Sequence, residues 1–83
     1  MPLEPEQEEQ TLSYGQKAVG LTLNPSGDEN VQKVKELYAQ IIDLVNGLHV
    51  SAGPSEKARL IKISITEAQS AQMWAVKAIT WKD

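Results

Sequence analysis

The chain of 83 residues carries 8 Lys or Arg against 11 Asp or Glu, for a net charge of −3, with no cysteine and one histidine. That balance excludes general binding of DNA or RNA polymers, which needs a basic surface, and it excludes disulfides and thiolate metal centres, so a metal site would rest largely on carboxylates. No apolar run approaches the roughly 20 residues that span a bilayer, and the start is acidic rather than basic and then apolar, so the sequence predicts one small, soluble, cytoplasmic domain with no membrane contact.

Residues 1–12 are rich in Glu and Gln, include two prolines, and offer almost nothing to bury. Such composition predicts a mobile acidic tail, the alternative being an arm that crosses to a neighbouring subunit. The domain proper is expected over 13–83. It divides into a loop at 13–28, a helix at 29–48, a turn at 49–54 and a helix at 55–81.

The 13–28 segment combines Gly15, Gly20, Gly27 and Pro25 with the apolar Ala18, Val19, Leu21 and Leu23. Glycine marks places where backbone turns or approaches closely, and the apolar members predict an ordered loop packed on the helices. Gly15 and Gly20 have the separation of a P-loop, but Leu21 stands where that motif needs lysine, which argues against a nucleotide triphosphatase. The remaining inventory is backbone N–H groups around Gly15, with Tyr14, Lys17, Asn24, Ser26 and Asp28. It suits an anionic, ring-bearing ligand, and it equally suits ordinary loop chemistry.

Asn24-Pro25-Ser26-Gly27 is a turn signal, after which Ser26 or Asp28 can cap a helix whose first turn is acidic. Val31, Val34, Tyr38, Ile41, Val45 and Leu48 then alternate spacings of three and four, a heptad-like seam flanked by Leu37, Ile42 and Leu44. Lys33, Lys35, Glu36, Gln40 and Asp43 form the expected polar side, and Asn46-Gly47 can end the helix. His49, near that end, reads as a dipole partner or plain surface rather than a ligand. The second helix follows Pro54 with Ser55 as N-cap. Its apolar stripe runs through Ala58, Ile61, Ile65, Ala68, Ala75 and Ile79. The run Ile61 to Thr66 alternates like a strand, but its flanks are strongly helical and no second strand is evident.

The fold class is therefore all-α, an antiparallel two-helix hairpin with an ordered N-terminal loop. Leu60, Ile63, Met73, Trp74, Val76 and Trp81 fall outside the second stripe, more apolar surface than one hairpin partner can cover. Assembly into a homo-oligomer is the remedy, and Ala58, Ser64, Ala68, Ser70, Ala71, Ala75 and Ala78 would allow close approach of backbones.

Two blocks, YGQKAVGLTLNPSGD at 14–28 and ITEAQSAQMWAVKAITW at 65–81, flank a helix of this length. Together they resemble a phage family, the helical-hairpin domain shared by the anti-CBASS and anti-Thoeris cyclic-nucleotide sponges, over roughly residues 13–82. The resemblance implies a hairpin assembled into higher oligomers, hexamers above all. It implies no catalysis and no cofactor: members hold cyclic dinucleotides, cyclic trinucleotides or cyclic ADP-ribose isomers in pockets between subunits, in the host cytoplasm.

By resemblance Tyr14 would stack on a base, and Asn24, Ser26 and Asp28 would meet a base edge or ribose, with Gly15 alongside. The family tends to carry a basic residue just ahead of the second helix's Thr. Here Ile65 takes that place, with Lys62 and Arg59 one and two turns earlier, and Lys17 as a substitute for phosphate contact. Thr66 and Gln69 lie one turn apart on one face and could serve one ligand. Met73, Trp74 and Trp81 read as interface packing. A self-associating adaptor that captures a protein partner is the alternative from a different class. An enzyme is a distant third, since Glu36, Asp43 and Glu67 lack a convincing base, nucleophile or metal partner.

Overall fold

The computed structural model describes residues 11–53 and 55–83. The acidic tail expected at 1–12 falls almost wholly outside the described residues, as does Pro54. The described residues form three helices and their connections: α1 (Tyr14–Ala18), α2 (Glu29–Asn46) and α3 (Glu56–Thr80). Among the described residues there is no strand, and the Ile61 to Thr66 run is continuous helix.

Helix α1 corrects the expectation of loop throughout 13–28. Ser13 caps it through a reciprocal box, its hydroxyl accepting the Gln16 N–H at 3.1 Å while the Gln16 side chain accepts the Ser13 N–H at 2.8 Å. Gly20, at φ +63°, then stops it. The Gly20 N–H donates to the Lys17 carbonyl and the Leu21 N–H to the Gln16 carbonyl, the paired bonds of a Schellman ending, which glycine forms without steric cost.

The two long helices are framed by ordinary capping chemistry. Asp28 accepts the Asn30 N–H at 2.7 Å and Ser55 the Ala58 N–H at 3.0 Å, each satisfying one orphan donor of a first turn. Helix α2 ends at Asn46 with Gly47 as its cap, two residues before the expected Leu48. Trp81 is the C-cap of α3 and lies outside the helix proper.

Helix α2 packs against both α1 and α3. The core is Val19, Ala39, Ile42 and Ile65, with Leu21, Tyr38, Val45, Ile61 and Ala68 packed around it. On α3 this is the expected stripe, with buried Gln72 filling the step between Ala68 and Ala75. On α2 the buried line starts at Val31 as expected but then rotates off the expected seam: Lys35, Ala39 and Ile42 are buried, whereas Ile41 and Leu48 are exposed. The cause is the segment after α1, whose Val19 and Leu21 cover that flank.

Two residues read as solvent-facing move inward with that rotation. Lys35 is 6% exposed, its ammonium donating to the Gly20 carbonyl at 3.0 Å and to the Leu23 carbonyl. Asp43 accepts the Gly15 N–H at 2.6 Å, and Gly15 lies so close to α2 that a Cβ there would sit 2.1 Å from the Ala39 carbonyl oxygen. Only glycine fits that contact. Burial of an aliphatic side chain contributes about 1.5–3 kcal/mol, so a core this small stabilises a single chain only modestly. Large apolar side chains stay outside it: Leu44 is 72% exposed, Trp74 69% and Trp81 63%.

Candidate functional site

A cleft of about 540 Å³ opens where the end of α2 and the following residues meet the first half of α3. That size lies within the range of small-molecule sites. Leu48, Val50, Ile61 and Ile65 give it apolar walls, and Tyr14, Lys62, Thr66 and Gln69 supply polar groups. Four of the residues singled out in the sequence thus converge, from two separate stretches of chain. Lys62, Thr66 and Gln69 do so through helical spacing, being three or four residues apart on α3. Tyr14 joins them because α1 docks on α2, and it keeps about half its surface exposed (53%).

The chemistry of the cleft suits a compound with rings and negative charge. No carboxylate lines it, and Lys62 is its one cation among the described residues. An ammonium on a mobile stem can meet a phosphate as a point charge, Thr66 can donate or accept, and the tyrosine ring offers a stacking face. Gln69 is partly committed, since its Nε2 donates to the Ala18 carbonyl at 3.2 Å. Its amide oxygen faces no such demand. Ile65 stands where the resemblance expects a basic residue and is a core side chain, leaving the charge to Lys62.

The other candidate residues lie elsewhere. Arg59 is bound to Glu56 by two hydrogen bonds of 2.7 and 3.0 Å, and that exposed pair is the ion pair of the described residues. The guanidinium holds the Glu56 carboxyl below the usual carboxylate range, and the carboxylate in turn raises the Arg59 guanidinium. Gly15 gives its N–H to Asp43. Lys17 lines a different, open cleft of about 440 Å³ with Met73 and Val76.

Asn24 and Ser26 line a third cleft, about 320 Å³, beside Val76 and Thr80 near the end of α3. Their polar groups are largely used within the loop. Ser26 Oγ donates to Asn24 Oδ1 at 2.8 Å and accepts the Asp28 N–H at 3.1 Å, while Asn24 Nδ2 donates to the Asp28 carbonyl at 3.1 Å. Asp28 itself caps α2. These residues build the entry to α2.

Sequence reasoning missed Asn46 and Val50 in the main cleft, and missed Lys35 and Asp43 as buried or bonded groups. The one available signal was the Ser13-x-x-Gln16 pattern of a capping box, which announces α1 and with it a fixed Tyr14.

No curated protein and no solved structure matches the chain. A family model does: the one described as Acb2/Tad1, hairpin domain, matches residues 16–80, beginning just after Tyr14 and Gly15 and ending with the last residue of α3. With most of its length, both long helices included, inside that match, the chain belongs to the Acb2/Tad1 hairpin-domain family, the anti-CBASS and anti-Thoeris sponge family.

Proposed function

We propose that this protein binds cyclic oligonucleotide second messengers, cyclic dinucleotides or cyclic trinucleotides, and holds them uncleaved in the host cytoplasm. CBASS-type antiphage signalling would thereby lose its messenger. The observation that carries the reading is the convergence of Tyr14, Lys62, Thr66 and Gln69 on one cleft, lined by no carboxylate among the described residues, in a chain of the sponge family. Sequestration needs no catalytic group. It needs only affinity and enough protein to hold the free messenger below the threshold of its effector.

In this reading the helices form an antiparallel hairpin. Its support is that the end of α2 shares a cleft with the first half of α3, while the start of α2 shares one with the end of α3. The hairpins assemble into a homo-oligomer, a hexamer by preference. The exposed Leu37, Leu44, Leu60, Met73, Trp74 and Trp81 supply the apolar surface for it. Cyclic ADP-ribose isomers, the signals of Thoeris, are the second ligand class, because the same stacking face and cation suit them.

Native mass spectrometry of the protein with a panel of cyclic di- and trinucleotides and cyclic ADP-ribose isomers tests this. An intact oligomer carrying a defined number of ligands of unchanged mass is expected. An oligomer that retains none of the panel would sink the sponge reading and favour the adaptor. A ligand released with altered mass would make the protein an enzyme.

A further inference from the structure

We propose that Asp43 is a positioning residue for the cleft: its carboxylate docks α1 onto α2 and thereby sets where the Tyr14 ring stands. The inference rests on the reading of the cleft as the ligand site. A helix of five residues is far too short to persist alone, so α1 exists only as long as something outside it holds it. Of its first amides, Gln16 N–H is taken by Ser13, and Gly15 N–H is taken across 28 residues of chain by Asp43 Oδ1 at 2.6 Å. A carboxylate at the positive end of a helix is favourable, and a bond to a charged acceptor is stronger than one to a neutral group.

The fit around that bond leaves little play. A Cβ at Gly15 would lie 2.1 Å from the Ala39 carbonyl oxygen and 2.9 Å from Asp43 Oδ1. The far end of α1 is held by α3, through the Gln69 amide on the Ala18 carbonyl. Tyr14 is the residue directly before Gly15, so its ring is anchored within one residue of the Asp43 bond. Asp43 does not line the cleft; it acts on a bound compound only through Tyr14.

The test compares Asp43→Ala, Asp43→Asn, Tyr14→Ala and the Tyr14→Ala/Asp43→Ala double variant in the full chain. Amide hydrogen exchange over 14–18 is measured without ligand, and affinity for cyclic di-AMP and cyclic tri-AMP by calorimetry. Asp43→Ala should speed α1 exchange about tenfold and weaken binding of the favoured probe about tenfold, the scale of losing one charge-assisted hydrogen bond. Asp43→Asn keeps an acceptor oxygen and should recover most of both. The double variant should bind no worse than Tyr14→Ala alone. Unchanged α1 exchange in Asp43→Ala would overturn the inference whatever the affinities. Additive losses in the double variant would overturn it too, because Asp43 would then act by a route other than Tyr14. Tyr14→Ala with parental affinity would overturn the reading of the cleft and this inference together. Loss in Tyr14→Ala with parental affinity in Asp43→Ala would overturn this inference alone.

Discussion

At the 24–28 loop, the side chains of Asn24 and Ser26 bond to each other and to the Asp28 backbone, and the Asp28 carboxylate bonds to the first turn of α2, while in the main cleft Lys62 and Thr66 make no side-chain hydrogen bond within the described residues. Both regions look alike as sequence, short clusters of polar residues beside glycine or on a helix face. Their physics differs. A polar group already paired contributes to stability and gains little from a ligand, because a new bond must replace an old one. A polar group held on a rigid helix and facing open space keeps its bonding capacity for whatever enters.

The variant expected to have the largest effect strikes the seat of α1 on α2, which holds Tyr14 at the cleft. Gly15→Ala places a methyl against the Ala39 backbone and should lower stability by about 3 kcal/mol, at the upper end of overpacking, while also weakening binding. A melting temperature taken at fixed protein concentration reads the first and calorimetry the second.

Tyr14→Ala separates the two regions. It should cost about 1–3 kcal/mol of affinity for a cyclic dinucleotide or trinucleotide, the worth of one stacked base, and leave oligomer size unchanged. Lys35→Met is its mirror. The buried ammonium ties the Gly20 and Leu23 carbonyls, and losing it should lower stability by about 1.5–3 kcal/mol with affinity at the Tyr14 cleft unaltered. If Lys35→Met abolished binding while Tyr14→Ala spared it, the assignment of the two regions would be reversed.

Asp28→Ala removes a cap and should cost about 1 kcal/mol of stability, again without loss of binding. The smallest effect is expected from the exposed Glu56–Arg59 pair. Arg59 lowers the Glu56 carboxyl in the folded chain, so the pair's contribution is present above the unfolded carboxylate range and fades as pH falls through the folded value. A pH series of melting temperatures for Glu56→Gln against the parent should converge at acid pH, with a slight difference near neutrality that raised salt removes.

Much of the scaffold was legible in the sequence because it follows local rules. Ser55, Asp28 and Asn46-Gly47 mark helix ends by capping chemistry, and the α3 stripe from Ala58 to Ile79 is a matter of helical period. The period of α2 points to Ile41 and Leu48 because period alone cannot tell which flank a returning segment will cover. Val19 and Leu21 fold back over Lys35, Ala39 and Ile42, a contact set by the Gly20 ending of α1 and by the close approach of Gly15. Lys62, Thr66 and Gln69 could be placed on one face from spacing. Tyr14 could not be placed with them, since only tertiary docking of a five-residue helix brings it there.

On the proposed reading the cleft at Tyr14, and not the loop at 24–28, receives the messenger. Its most direct test is a map of backbone amide chemical shifts as cyclic di-AMP or cyclic tri-AMP is added. The largest changes are expected at Tyr14, Lys62, Thr66 and Gln69, with 24–28 nearly still. Changes confined to 24–28, with Lys62 and Thr66 unmoved at saturation, would contradict it.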